Sequence, residues 1–377
     1  MRLLLLSTEF PPGPGGIGTH AHQLALGLRE RGWEVAVLTR QAYAAREEIE
    51  AFNREQPMTV EALPGAGVAP LTAVAGYRVV SRRTREWKPD LVVASGDRVI
   101  YLTAWVARRR ALPWVAVEHG RSPRGWERRL KRWALAEATG VVCVSRHTWT
   151  RMTAMGVEPR TGCVIENGAD PGRFRVLPDD EKRAFRESLG LDGARLLLTV
   201  GNVSERKGQD LVIRALPRIL ERAPNTHYLM AGLPTRRREF HAIAEDLGVA
   251  RRVHFLGRVE PDRLVRLLNA ADVFAMTSRQ ADDQFEGYGI AVAEAALCGL
   301  PSVVTSGSGL SEAIQAGETG LAASEEDAAA VAEAVLGLLG DEDRRRAMGA
   351  AARRRALAAQ TWSRRAEEYD GFFRSLL

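Results

Sequence analysis

Apolar residues in this chain fall into short runs, separated by longer stretches in which they recur at helical spacing. In the first half the runs predict strands at Arg2–Ser7, Glu34–Thr39, Leu91–Ser95, Pro113–Glu118, Gly140–Ser145 and Thr161–Glu166. The pattern then restarts, with strands at Arg195–Gly201, Thr226–Gly232, Arg252–Leu256, Asp272–Thr277 and Pro301–Thr305. Helical patterns fill the gaps, among them Thr19–Arg31, Gly208–Arg222 and Tyr288–Gly299, the last ending at Gly299-Leu300-Pro301. Strand and helix in alternation signify parallel βαβ units, hence an α/β protein.

The chain has 377 residues, more than one hydrophobic core usually organises. The turn-rich stretch Asn167–Pro178 reads as the link between two domains, residues 1–170 and 171–361. A last helical segment, 362–377, is expected to cross back to the first domain. Each half opens with a strand running into a glycine-containing turn. Ligands of open α/β sheets bind at the carboxyl ends of strands, so those turns are the places to look.

Composition narrows the classes. With 45% hydrophobic and 27% charged residues, the chain is globular in type. Leu3–Leu6 is too short for a leader or a membrane span, and no segment reaches 18 apolar residues, so the protein is read as cytoplasmic. Cys143, Cys163 and Cys298 lie far apart without metal-ligand spacing and read as buried thiols. Residues 1–170 hold 24 Lys and Arg against 17 Asp and Glu, whereas the remainder holds 29 against 30. The basic excess thus sits in one half, where it suits an anionic partner. Only Lys88, Lys131, Lys182 and Lys207 are lysines, which makes each one's position informative.

Gly13, Gly15 and Gly18 formally satisfy G-x-G-x-x-G between the first strand and its helix. The next strand ends in Leu38-Thr39-Arg40, without the acidic residue that holds a dinucleotide ribose. The turn is therefore read as a general anion site at a helix start rather than an NAD(P) site. In the second half, Gly201-Asn202-Val203-Ser204-Glu205-Arg206-Lys207-Gly208 follows a strand and opens a helix. Arg206 and Lys207 beside that helix start suit a diphosphate; a solvated basic turn would read the same way.

The sharpest feature is Phe285-Glu286-Gly287-Tyr288-Gly289-Ile290-Ala291-Val292-Ala293-Glu294. Eight residues of helix rise roughly 12 Å, so the two carboxylates cannot share one proton transfer. They can instead grip two parts of an elongated ligand, with phosphates at the helix N-terminus between them. Glu294 lies among alanines, valine and leucine, and a carboxylate in so apolar a helix needs a partner.

Taken in order, several segments resemble glycosyltransferase family 4, the retaining enzymes with the GT-B fold. They are the Gly15-Gly16 loop, Glu118-His119-Gly120, Val144-Ser145, Ile165–Asp170, Arg206-Lys207-Gly208, Glu286 with Glu294, Ala296–Pro301 and Gly317–Gly320. The resemblance implies two Rossmann-like parallel-sheet domains facing across a cleft. It implies that the backbone at Gly15 and Gly16 faces the donor phosphates, and that Arg206 and Lys207 bind the diphosphate and stabilise it as it leaves. Glu294 would hold the ribose, and the Val259 backbone would border the base. Glu286 and the amides of Gly287, Tyr288, Gly289 and Ile290 would contact the transferred hexose, with His119 beside it. Asn202, counted among the donor-binding residues, departs from the arginine many members carry: either Arg206 covers the loss or the donor sits differently.

The implied reaction is retaining transfer from a nucleoside-diphosphate sugar, GDP-mannose or a UDP-sugar, to a glycan, lipid-linked or small-molecule acceptor. Leaving diphosphate would take the acceptor's proton, with no protein nucleophile and no metal or other cofactor. The sequence has no D-x-D metal motif; Asp282 and Asp283 are adjacent. Arg124–Ala138 is a basic helix with Trp126, Leu130 and Trp133 on one face, and Arg128, Arg129, Lys131 and Arg132 around it. It reads either as a helix packed on the sheet or as a peripheral contact with an anionic membrane, the inner face of the cell membrane for a cytoplasmic protein. Rival classes are a sugar-nucleotide epimerase or phosphorylase and a non-catalytic nucleotide-sugar sensor. Nucleic acid is disfavoured, because the basic residues lack interleaved aromatics in a recognised module.

Overall fold

The apolar runs become strands, and the inner ones are covered on both faces: Leu3 to Leu6 are fully buried, and so are Val93, Val115, Val142, Leu197, Val273 and Val303, whereas the edge strands at Gly162–Val164 and Val253–Gly257 are only partly covered. The computed structural model describes residues 1–13, 15–41, 44–64 and 69–377. These form two units, Met1–Gly168 with Trp362–Leu377, and Ala169–Thr361.

In the first unit the strands are β1 (Arg2–Ser7), β2 (Glu34–Thr39), β3 (Thr59–Ala62), β4 (Leu91–Ser95), β5 (Trp114–Glu118), β6 (Gly140–Cys143) and β7 (Gly162–Val164). They pair in parallel in the order β3-β2-β1-β4-β5-β6-β7. The second unit has β8 (Arg195–Val200), β9 (Thr226–Ala231), β10 (Val253–Gly257), β11 (Val273–Met276), β12 (Ser302–Thr305) and β13 (Gly320–Ala323). Their order is β10-β9-β8-β11-β12-β13, again parallel. The order reverses beside β1 and β4 in one sheet, and beside β8 and β11 in the other. Such switch points open a crevice at the strands' carboxyl ends.

The strands β3 and β13 were not legible in the apolar pattern. Both are edge strands of four residues, and β3 is partly exposed along its whole length.

The terminal helix Trp362–Arg374 packs on the helix Gly16–Glu30 within the first unit. Gly27 allows the close approach, since a Cβ there would run into the Ala366 methyl. Trp33 Nε1 donates to Asp370 Oδ1 at 2.7 Å, and Arg31 Nη2 donates to the Ser363 carbonyl at 2.8 Å. His20 Nε2 and the Tyr369 hydroxyl meet at 3.0 Å, both fully buried.

Candidate active site

In the second unit β8 runs into Gly201 and Asn202, then a 3₁₀ turn Glu205–Lys207, and then the helix Gln209–Arg222. Gly208, between turn and helix, has φ +66°, and a Cβ on it would collide with the Thr277 carbonyl just past β11. Thr277 Oγ1 donates to the Gly208 carbonyl at 2.6 Å, and the Arg279 amide donates to the Arg206 carbonyl at 2.9 Å. The ends of β8 and β11 thus clasp the basic turn at the switch point.

Arg206 and Lys207 are engaged rather than solvated. Arg206 Nη1 donates to Glu286 Oε2 at 2.6 Å, and Lys207 Nζ donates to the same oxygen at 2.7 Å. Burial alone would push the Glu286 carboxyl up, but Lys207 and Arg206 together outweigh it and hold it down at about 2. Lys207 titrates below its ordinary value because it is buried and beside Arg206, with Glu286 opposing. Two cations on one carboxylate leave an excess positive charge at the carboxyl end of the sheet. Asn202 is exposed, and its Oδ1 accepts from the Leu233 amide at 3.2 Å, which ties the β8 and β9 loops together. Val259 follows β10 and Gly257, partly buried.

The helix after Glu286 is shorter than its sequence pattern suggested, running Ile290–Leu297. Gly289 caps it at φ +88° and its carbonyl accepts from the Val292 amide at 2.9 Å, so only the N–H groups ahead of Val292 start the helix without an intrahelical acceptor. Tyr288 precedes the helix, and its side chain is drawn inward. It is buried, with its hydroxyl accepting from Gln360 Nε2 at 2.8 Å. Glu294 is partly buried, and burial pushes its carboxyl up to about 7 against the opposing charge of Arg173.

In the first unit His119 follows β5. Its Nε2 lies 2.8 Å from Ser95 Oγ, at the end of β4, and the His20 ring meets it edge-on with centroids 4.9 Å apart. Burial and the nearby Lys131 charge push His119 down to about 3, so it is neutral at physiological pH. Behind it, Lys131 Nζ contacts Glu118 Oε2 at 2.6 Å and Asp97 Oδ1 at 2.9 Å, and donates to the Arg121 carbonyl at 2.8 Å. Arg121 in turn bridges Asp97 at 3.1 Å and Glu127 at 2.8 Å. Burial pushes Glu118 up to about 7, even with Lys131 opposing.

This cluster corrects the reading of the basic helix, which spans Gly125–Glu137. Its buried side chains are Lys131, Ala134 and Leu135, whereas Trp126 is 75% exposed. Lys131 is fully buried, not part of a solvated basic surface, because three acceptors compensate its charge. Trp133 is the aromatic that packs against the core.

Gly15 is the N-cap of the helix Gly16–Glu30, and a Cβ on it would run into the Glu9 carboxylate. A phosphate at the Gly15–Gly16 amides therefore needs that carboxylate turned aside. Pro14, in the same loop, lies outside the described residues.

Sequence reasoning missed Ser95, Thr277, Arg279 and Gly309. Gly309 donates its amide to the Glu286 carbonyl at 3.0 Å, and a Cβ there would strike the Gly287 carbonyl. Each lies far along the chain from the group it supports, so no local pattern marks it. Among the described residues, no three His, Cys, Asp or Glu side chains gather as a metal-holding group.

Residues 14–173 match the model of Glycosyltransferase Family 4, and residues 181–355 match that of Glycosyl transferases group 1. The chain is 32% identical to a GDP-mannose-dependent alpha-(1-6)-phosphatidylinositol monomannoside mannosyltransferase of Mycolicibacterium smegmatis, with 96% of each chain covered. The chain belongs to glycosyltransferase family 4. It is also 30% identical to a glycogen synthase of Mycobacterium tuberculosis, over 96% of this chain and 89% of that one. The fold is shared with Anabaena HepE in complex with UDP and glucose, at TM-score 0.85 and 21% identity with both chains covered at 100%. It is shared too with WaaG, a glycosyltransferase involved in lipopolysaccharide biosynthesis, at TM-score 0.75 and 20% identity over 97% and 98% of the two chains. The architecture is therefore GT-B, and the activity is that of a glycosyltransferase using a nucleotide sugar.

Proposed function

We propose that this glycosyltransferase is a retaining, metal-independent hexosyltransferase that moves mannose from GDP-mannose to a lipid-linked acceptor. The observation that carries the reading is the convergence of Arg206 and Lys207 on Glu286 in front of the helix Ile290–Leu297. A diphosphate arriving there is neutralised by side chains and helix amides, the role a divalent cation fills elsewhere. As it leaves, it takes the acceptor's proton, so no protein nucleophile is needed. Glu286, held ionised by its two cations, is placed to accept a hexose hydroxyl; Glu294 serves the ribose, and His119 the sugar. Gly16, Gly287, Gly289 and Ile290 contribute backbone amides, and Val259 borders the base.

GDP-mannose is taken from the Mycolicibacterium smegmatis mannosyltransferase relative, and the 30% identity to a glycogen synthase makes a glucose donor the competitor. The test is slow release of nucleoside diphosphate from a panel of GDP-, UDP- and ADP-sugars in EDTA, without acceptor. Release from GDP-mannose alone, with product of retained anomeric configuration once acceptor is added, is expected. Release abolished by EDTA, or an inverted product, refutes the mechanism; release from UDP- or ADP-glucose alone refutes the donor.

We infer further that an anionic bilayer is met by the helices Ala69–Trp87, Asp97–Arg110 and Gly125–Glu137, which lie side by side. Trp126 and Trp105 stand 75% and 49% exposed among the exposed Arg98, Arg108, Arg129 and Arg132. Indole and guanidinium groups together suit the headgroup region of such a membrane. Among the described residues no helix is long and apolar enough to cross a membrane. Co-sedimentation with phosphatidylglycerol vesicles, lost with phosphatidylcholine and weakened by Trp126→Ala, is expected; equal sedimentation with both lipids refutes it.

A further inference from the structure

Ser95 ends β4, and His119 follows the neighbouring strand β5, so the parallel register Ser95↔Val117 brings the two side chains together across the sheet. Ser95 is fully buried, and among the described residues His119 Nε2, at 2.8 Å, is the hydrogen-bonding partner of its hydroxyl. The hydroxyl carries one proton, and the neutral imidazole carries one ring proton, so two arrangements exist. If Ser95 donates to Nε2, the ring proton sits on Nδ1. If Nε2–H donates to Oγ, the serine proton is left inside the protein without an acceptor. That second arrangement pays for a buried donor with nothing to bond to.

We propose that Ser95 donates to Nε2 and so fixes His119 as the Nδ1–H tautomer, a hydrogen-bond donor toward the transferred sugar and not a base. Nδ1 has no protein partner among the described residues and is not sealed from solvent. It therefore calls for an acceptor oxygen, which on a hexose is a hydroxyl oxygen whose own proton goes elsewhere. Burial and the Lys131 charge keep a second proton off the ring, so the donor is neutral. Ser95 is then a positioning residue, acting through His119. The choice of a sugar as ligand rests on the function proposed above; the tautomer does not.

The test begins with ¹⁵N-histidine-labelled protein at pH 7, read by long-range ¹H–¹⁵N correlation, with His119→Gln to identify the His119 signals. A protonated Nδ1 and an unprotonated Nε2 are expected. Ser95→Ala should scramble the pattern, because either nitrogen can then carry the proton. Its kcat should fall on the order of tenfold, the worth of one neutral hydrogen bond, with the donor KM little changed. A wild-type Nε2–H tautomer, or a doubly protonated ring, overturns the proposal whatever the activity. An Nδ1–H tautomer that Ser95→Ala leaves intact overturns the role of the serine. An Nδ1–H tautomer that depends on Ser95, in a protein inactive on every nucleotide sugar, would sustain the proposal and sink the functional reading instead.

Discussion

Glu294 makes an unusual trade, and replacing it with glutamine should expose it. In the folded protein its carboxyl is pushed up to about 7 by burial, with Arg173 opposing, whereas an ordinary glutamate titrates at 4.5. That displacement corresponds to about 3 kcal/mol between the neutral and ionised forms. Glu294 is partly rather than fully buried, so solvent screening trims the cost to about 1–2 kcal/mol. A raised folded-state value means that stability is intact below pH 4.5. It is lost as pH rises through about 7. Glu294→Gln is therefore expected to match the wild type near pH 4.5 and to melt higher at pH 8, by roughly 3–6 °C for a domain of this size. The same substitution removes the charged acceptor proposed for the donor ribose, a loss of about 1.5–3 kcal/mol that should raise the donor KM roughly 10- to 100-fold. Differential scanning calorimetry at both pH values and steady-state kinetics supply the two readouts. A variant that melts lower at pH 8 with an unchanged donor KM would refute the reasoning, because Glu294 would then be a structural group with a partner.

Other substitutions separate charge, backbone and burial. Lys207→Ala should lower kcat by about 10²–10³ with far-ultraviolet circular dichroism unchanged, because one of the two cations proposed to face the leaving diphosphate is gone. Gly208→Ala should shift the urea midpoint by the equivalent of about 1–3 kcal/mol or more, since φ is +66° and the Cβ strikes Thr277. Gly248→Ala, at φ +69° with open space around it, should cost about 1 kcal/mol and serves as its control. Lys131→Met should destabilise by about 3–5 kcal/mol at pH 8, measured by denaturant unfolding, because it strands Glu118 and Asp97. Part of that loss should return at pH 5: Glu118, already raised to about 7 with Lys131 present, then takes a proton.

The sequence by itself determined the repeated strand–helix alternation, the two glycine turns and the ordered motifs that mark the family. These are local properties: a buried strand needs its apolar run, a turn its glycine, and the Glu286–Glu294 segment both carboxylates within one stretch of chain. The short edge strands β3 and β13 escaped, because four residues packed on one side carry too little pattern to stand out. Only the tertiary structure decided what the charges do. Arg206 and Lys207 meet Glu286 across 80 and 79 residues of sequence, because β8 and β11 are neighbours although three strands apart in chain order. Lys131 read as one of the basic residues around the apolar face of its helix, and the fold turned it inward onto Glu118 and Asp97. Ser95 was the end of an apolar run until the pairing of β4 with β5 set it against His119. Apolar periodicity reports which residues leave water, and it is read along the chain. Partners of a buried polar group are chosen across the sheet, where strand order rather than sequence distance sets what lies within 3 Å.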